Sequence, residues 1–494
     1  MAFKIERMAS TMAACELLRA IFPGRIDFPA DSNYRAVMEH PWSSNSWLPA
    51  ACFVRPADTN GVAEVLRVVK KTGATFAVRG GGHNFNPGFS SVKGYGIVLD
   101  LRDLNTLHLD GERILQVGAG NTWGAVFSFL DESGLSAIGS RQNDLGVSGF
   151  LLGGGMPAFP SLHGLGADNV KNYEIVLSDA TVVNANANEN ADLYHSLKGG
   201  GPNFGIVTRF DIATYAIETQ STIAIYRLAG HEEVLRTTVE VQETMEKDPR
   251  IGMFTTVNSG LIAVGLFYAA KIGRPRVFEA FLKLKSLVRV VVPTRTGTVK
   301  TLVDAIGPLT PPTRRMVSTV STKVSYDLYI AVHKFWLDTA NKYPEIGSLS
   351  YNIQPASSTT VQIGKDKGGN VLGLEKVAQT CRPRNAPLSS SDTSSISDTG
   401  RLAGWSLVAE WSDSVNDERA SQGLDVLQQG IARLAKEHGQ SLDFLSMNSA
   451  KSAQNVLESY GQENTAKLRR TAEKYDPQGF FQTHQNDGFL LRKI

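Results

Sequence analysis

The chain has 494 residues, of which 42% are hydrophobic and 20% charged, the mixture of a folded globular protein. At about 150 residues per domain it has room for two or three domains. Its 50 basic and 48 acidic side chains leave a formal charge of +2, which gives no electrostatic basis for binding nucleic acid or an anionic membrane.

The N-terminal stretch MAFKIERMASTMAACELLRAIF is broken by Glu6, Arg7, Glu16 and Arg19 and does not read as a signal peptide. No apolar run of about 18 residues exists to span a bilayer. Cys15, Cys52 and Cys381 are too scattered for a CxxC pair; one disulfide is possible, but nothing in the spacing suggests it. With no Asn-X-Ser/Thr sequon either, the expected location is cytoplasmic.

Residues 10–50 lean helical. Asp58-Thr59 then opens VAEVLRVVKKTG, an amphipathic helix with a polar cap and a stop at Gly73. TFAVRGGGHN reads as a buried strand entering a glycine turn, GIVLDL and RILQVGAG as further strands, and TWGAVFSFLDESG as a helix closed by Gly134. This alternation over 51–135 predicts an α/β layer. Between two apolar runs, Asp179-Ala180 marks a hairpin. After residue 216 longer helices are expected (HEEVLRTTVEVQETMEK, RPRVFEAFLKLKSLV) between strands such as SGLIAVGLFYAA and GWSLVAEW, forming a second domain of sheet covered by helices. The serine-rich stretch 386–399 reads as a loop, and the apolar end YDPQGFFQTHQNDGFLLRKI as a segment that packs back.

Three glycine triplets stand out: Gly80 to Gly82, Gly153 to Gly155 and Gly199 to Gly201. A strand leaving into Arg79-Gly80-Gly81-Gly82-His83-Asn84 turns several backbone N–H groups toward one point, a nest for a pyrophosphate. Three such turns suit a large phosphate-bearing cofactor; the competing reading is three tight packing turns. The run Gly118-Ala119-Gly120-Asn121-Thr122-Trp123-Gly124 imitates a dinucleotide fingerprint, but its spacing is GxGxxxG and it has no clear acidic partner downstream. No His, Cys or Asp cluster has metal spacing, and no Gly-X-Ser-X-Gly elbow occurs.

At VRGGGHNFNPGFSS the sequence resembles the berberine-bridge-enzyme-like flavin oxidases and, more broadly, the p-cresol methylhydroxylase/vanillyl-alcohol oxidase fold. SAIGSRQNDLGVSGFLLGGG, the long run 166–215, ACFVRPADTNGVAEVLRVVKK and YDPQGFFQ carry the same resemblance, whereas 216–440 is only loosely similar. The resemblance implies an α+β fold. Residues 1–215 would form an FAD-binding domain of two α+β subdomains, 216–449 a substrate domain with an antiparallel sheet, and 450–494 a C-terminal segment returning to the FAD domain. It further implies FAD joined through His83 to the flavin 8α carbon. Arg79, Gly80, Gly81, Gly82 and Asn84 would cradle the pyrophosphate, with Gly88 and Ser90 continuing that loop. Leu145, Gly146, Ser148 and Gly149 would run along the flavin ring, and Gly205, Ile206 and Val207 would supply backbone contacts.

Departures from the family pattern refine these expectations. Gln142 stands where many relatives attach flavin through a cysteine, so a single link is expected. Leu145 occupies a position where smaller branched residues leave room for dioxygen; the alternative is an ordinary core leucine. In FLSMNSAKSAQN, Asn448 keeps the family residue and is a catalytic candidate, but Ser446 and Ser449 replace tyrosines, and an unactivated serine is a poor base. Glu410 is the other catalytic candidate, against the reading of a salt-bridged strand glutamate. His163 and His195 read as packing residues, and Tyr351 and Gln354 fall on opposite faces of one strand. His484 and Asp487 have no assigned role. The expected activity is an FAD-dependent oxidase removing hydride from a small organic molecule, a secondary metabolite rather than a sugar. Dioxygen would be the acceptor, and the protein a monomer or homodimer. Two alternatives compete: a non-redox isomerase or cyclase with structural FAD, and a non-catalytic binder.

Overall fold

The computed structural model describes residues 2–271, 275–307, 312–374 and 402–494. The first sheet aligns strands Cys52–Val54, Gly96–Asp100 and Thr75–Arg79 in parallel, with Ile26–Asp27 added antiparallel at the edge. These strands are short, nearly all apolar and buried, as a covered parallel sheet requires. The crossover helix Thr59–Thr72 lays Val62, Val65, Leu66 and Val69 into the core. Asp58 caps it by accepting from the Gly61 N–H at 2.8 Å, and Gly73 ends it at φ +72°.

The N-terminal helix Ala2–Ile21 packs on this crossover helix and buries Ala14, Cys15 and Leu18. Cys15 and Cys52 form a disulfide that ties the helix to the first parallel strand. The cysteine spacing held no hint of this bond, because the pairing is made by tertiary packing across 37 residues.

The second sheet is antiparallel, in the order Leu107–Leu109, Ile114–Gly118, Ile206–Tyr215, Val170–Val176, Val182–Asn186, with Ser136–Ala137 against Ile206–Tyr215. The hairpin at Asp179-Ala180 forms as expected; Ala180 adopts φ +67° while Asp179 accepts from the Thr181 N–H at 2.9 Å.

The third sheet has eight antiparallel strands: Leu287–Gly297, Thr219–Arg227, Leu261–Tyr268, Ile251–Val257, Ser348–Ala356, Leu402–Trp411, Arg314–Lys323 and Ser441–Leu442. Helices His231–Thr244, Tyr326–Lys342 and Asp417–Glu437 close one face over a core containing Tyr329, Trp336, Tyr351 and Trp405. The long helix expected over RPRVFEAFLKLKSLV does not form. A single turn, Glu279–Leu282, gives way to the strand Leu287–Gly297. Its β-branched run Val290-Val291-Val292 favours extended backbone, and Pro293 is tolerated because the strand lies at the sheet edge. The serine-rich stretch 386–399 lies outside the described residues.

The C-terminal segment packs back on the first sheet. Asp476 accepts from the N–H groups of Phe480 and Phe481, both at 2.8 Å, which starts a short helix. Phe480 and Phe481 then pack on Phe76, and the Asn486 N–H donates to the Phe76 carbonyl at 2.7 Å.

The disulfide closes a long loop in the unfolded chain, worth about 3–4 kcal/mol by loop-closure entropy. Cys52→Ser is expected to lower Tm under oxidising conditions and to abolish the effect of dithiothreitol on it; a dithiothreitol-insensitive wild type would refute the bond.

Candidate functional site

Two loops from different sheets meet edge to edge. One is the turn Gly80-Gly81-Gly82-His83 at the end of strand Thr75–Arg79; the other is Leu145-Gly146-Val147-Ser148, entering the helix Val147–Leu152. A Cβ on Gly81 would lie 2.5 Å from the backbone of Gly146, and one on Gly146 would lie 2.5 Å from the Gly81 nitrogen. Only glycine at both positions allows this approach. The second loop is zipped to residues 119–124. Trp123 N–H donates to the Leu145 carbonyl at 2.9 Å, Val147 N–H to the Asn121 carbonyl at 3.0 Å, and the Ser148 hydroxyl to the Ala119 carbonyl. The fingerprint-like glycines serve packing instead: a Cβ on Gly118 or Gly120 would strike the Leu104 or Leu101 carbonyl.

The first turn differs from the other glycine triplets. None of the N–H groups of Gly80 to Asn84 donates a hydrogen bond to another described residue. In the second triplet, Gly153 N–H donates to Gly149, Gly154 to Leu151 and Gly155 to the Asn448 side chain; in the third, Gly199, Gly200 and Gly201 donate to Leu197, Ser196 and Leu152. The expectation that all three triplets suit a phosphate therefore narrows to one. The other two are packing turns that share Leu372 as a neighbour.

Arg79 braces the first turn from beneath. Its side chain is fully buried, with Nε donating to the Ser90 carbonyl at 3.1 Å, Nη1 to the Val37 carbonyl at 2.7 Å, and Asp100 3.7 Å away. Burial pulls its pKa down to about 10, against the opposing pull of Asp100. Gly88 has φ +96°, and its carbonyl accepts from Asn486 at 2.8 Å. The Ser90 hydroxyl is buried with no partner, as is the side-chain oxygen of Gln142. Gly149 is exposed, and a Cβ there would meet nothing within 4 Å, so this face of its helix looks into open space. Leu145 is half-buried. Gly205, Ile206 and Val207 open the strand at the centre of the second sheet, where Ile206 and Val207 pair with Val176 and Ile175.

His83 stacks on Trp42 with ring centroids 5.5 Å apart and planes 9° from parallel. Burial first, then the nearby His40 and Arg315, bring its pKa down to about 4, so the ring is neutral at neutral pH. Arg315 comes from the third sheet, lies 4.3 Å over the Trp42 ring and donates to the Trp42 carbonyl at 2.7 Å. Glu410 is its ion-pair partner. The glutamate thus faces the seam between the sheets, where it neutralises the cation behind the histidine.

Other polar side chains cross the seam. Gln354 bridges the domains: its oxygen accepts from Arg141 at 2.6 Å and its nitrogen donates to the Pro157 carbonyl at 3.1 Å. Tyr351, on the opposite face of the strand, is buried under the helices and meets His333 at 2.9 Å. Ser449 pairs with Ser406 at 3.0 Å. The Asn448 amide is engaged at both ends, donating to Gly149 and accepting from Gly155 at 2.9 and 3.0 Å, which makes it a brace for the helix between them. His163 stacks on Tyr215 at 3.8 Å, and His195 borders a surface groove with Asp192, Lys467 and Lys474. Asp487 accepts from its own neighbour Gly488 at 2.8 Å, and His484 packs on Phe480. Arg141 stands in the polar run Arg141-Gln142-Asn143-Asp144, where nothing in the sequence sets it apart from its neighbours.

Residues 50–186 match the family described as an FAD binding domain. The chain is 30% identical over 481 residues to an FAD-dependent monooxygenase of Arthrobotrys oligospora, covering 96% of this chain and 89% of that protein. It is 31% identical over 474 residues to an FAD-dependent monooxygenase of Cochliobolus heterostrophus, covering 92% and 87%. Among solved structures, BBE-like 1 of Physcomitrella patens superposes with a TM-score of 0.77 at 17% identity, over 97% of this chain and 99% of that one. Glucooligosaccharide oxidase from Acremonium strictum, which carries a 6-S-cysteinyl, 8α-N1-histidyl FAD, superposes with a TM-score of 0.73 at 18% identity, over 96% and 98%.

The loop contact yields a paired test. Gly81→Ala must part the two loops and is expected to destabilise by about 1–3 kcal/mol, the range for overpacking. Gly149→Ala faces open space in the flavin-free protein and is expected to leave its Tm within about a degree, since an open site adds no strain. Urea denaturation of both variants measures the difference; equal stabilities would refute the close approach.

Proposed function

The chain belongs to the FAD-linked oxidoreductases of the berberine-bridge-enzyme-like fold, and we propose that it oxidises a small organic molecule of the secondary-metabolite kind, with dioxygen as the final acceptor. The observation that carries this reading is the row of unengaged N–H groups from Gly80 to Asn84, ending at a neutral His83.

The residues fit FAD. The Gly80–Asn84 turn offers N–H donors to a pyrophosphate, and the buried Ser90 hydroxyl and Gln142 oxygen are polar atoms awaiting partners. Gly146, Ser148 and Gly149 would border the ring, with Leu145 beside it. FAD bound there would supply the redox chemistry, as acceptor of a hydride from the substrate and donor of electrons to dioxygen. His83, unprotonated and held by Trp42, keeps a ring nitrogen lone pair available for covalent attachment. With Gln142 in place of a cysteine, attachment through His83 alone is the consistent arrangement.

In this reading residues 1–215 bind FAD, 216–449 cover the substrate, and 450–494 clasp the first glycine turn. Glu410 and Asn448, the sequence candidates for catalysis, are better read as positioning residues, because each is engaged by the scaffold. Neither Glu410, paired with Arg315, nor Ser449, paired with Ser406, is a free base. That favours a substrate that arrives already ionised, such as a phenolate or enolate. It also keeps a second reading in place, a non-redox cyclisation or isomerisation on structural FAD, whose product has the mass of its substrate and appears without peroxide. The relatives named monooxygenases add a third arm, in which one atom of labelled dioxygen enters the product.

No helix among the described residues is long and apolar enough to cross a membrane. The Cys15–Cys52 disulfide favours an oxidising compartment over the cytoplasm that the sequence suggested.

Acid precipitation of the wild type is expected to leave yellow flavin in the pellet, and His83→Ala to release it into the supernatant; flavin retained by the variant would refute His83 as the link. Attachment to apoprotein is expected to proceed at neutral pH and to fail as pH falls toward about 4, where the ring protonates. Leu145→Val is expected to speed reoxidation of dithionite-reduced enzyme by air about tenfold or more, equivalent to roughly 1.4 kcal/mol of barrier. An unchanged rate in stopped-flow absorbance would remove the gate.

A further inference from the structure

The arginines around the candidate site are not alike. Arg79 lies beside Asp100, and Arg315 pairs with Glu410. Arg141 has no carboxylate partner among the described residues. Its one hydrogen bond goes to the neutral oxygen of Gln354, and its guanidinium lies 5.3 Å over the Phe254 ring. Burial, with no carboxylate opposing it, pulls its pKa down to about 10, which leaves it charged at neutral pH. Its remaining nitrogens are not sealed off as the buried Nη2 of Arg79 is. Those open, unengaged donors can pair with an anion, which would supply the countercharge that the described residues do not.

The position is set from several sides. Arg141 precedes Gln142 in the loop that leads to Leu145 and Gly146. Gln354 is fixed by its second bond to the Pro157 carbonyl. Gly252, beside Phe254 on the cover sheet, has no room for a Cβ because the Ala158 carbonyl would lie 2.1 Å away. The cover sheet is therefore pressed onto the flavin-side loops around the arginine head.

We propose that Arg141, oriented by Gln354 and flanked by Phe254, is the recognition site for an anionic oxygen on an aromatic or similarly planar substrate. This rests on reading the seam as the substrate cleft. It narrows the substrate class to carboxylates and ionised phenols or enols, and it excludes neutral sugars as preferred ligands. Guanidinium presents paired donors to such oxygens, and Phe254, packed against the guanidinium, adds an apolar aromatic wall beside them. Arg141 acts here in binding and orientation; no proton transfer is assigned to it.

Calorimetric titration of the FAD-loaded protein with benzoate and with its neutral isostere benzamide tests the site without requiring the flavin to react. Wild type is expected to bind benzoate at least about tenfold more tightly than benzamide. Arg141→Met should lose about 10- to 100-fold for benzoate, the range for hydrogen bonds to a charged group, and leave benzamide unchanged. Arg141→Lys should fall between them. Replacing benzoate by 4-nitrophenolate separates a site that accepts phenolates from one confined to carboxylates, and binding of either anion supports the proposal. Neither anion bound more tightly than benzamide, or retention of the anion preference by Arg141→Met, would overturn it. So would an Arg141→Met protein with altered flavin content or spectrum but an intact benzoate preference, because the cation would then serve the cofactor. If the anion preference holds while no substrate ever reduces the flavin, the redox reading fails and the anion site stands.

Discussion

The contact between Gly81 and Gly146 is the constraint on which the rest of this structure depends. Two loops rooted in different sheets approach until a single methyl group on either would overlap the other. Their meeting sets the spacing between the two sheets at the place where the N–H groups of Gly80 to Asn84 converge. Arg79 from below, Asn486 from the C-terminal segment and the 119–124 loop from the side all hold these loops in register. The turn thus presents backbone, and the side chains around it act as scaffolding.

The third sheet completes the site through its strand alternation. Tyr351 and Trp405 point into the helix-covered core, while Gln354, Ser406 and Glu410 point to the seam. One strand therefore anchors a hydrophobic core on one face and positions polar groups on the other. The two faces are coupled by the period of two along each strand. The ion pair of Arg315 and Glu410 reaches across the seam to Trp42, so the environment of His83 is shaped by both halves of the molecule.

Much of this was legible in the sequence where local chemistry decides local structure. The cap at Asp58, the stop at Gly73, the turn at Asp179-Ala180 and the strand entering Gly80 follow from single-residue preferences, and each forms as read. The opposite facing of Tyr351 and Gln354 follows from strand periodicity alone. What escaped is what depends on distant packing. Gly153 to Gly155 and Gly199 to Gly201 look like Gly80 to Gly82 in sequence, and only their hydrogen-bond partners tell them apart. The Cys15–Cys52 bond needed the placement of the first helix. The run after Arg276 carried helix-like spacing, but edge position and β-branching prevailed. Asn448 read from the sequence as a catalytic candidate, while its engagement at both ends of the amide is visible only in three dimensions.

The C-terminal clasp sets an order on biosynthesis. The loop that begins at Gly80 emerges early from the ribosome, yet its Gly88 carbonyl is held by Asn486, 398 residues later, and the strand leading into it packs against Phe480 and Phe481. A nascent chain that has only reached the third sheet has the residues of the turn without its brace. The turn is therefore finished last although it is made first, and its braced form belongs to a folded chain that already includes Asn486.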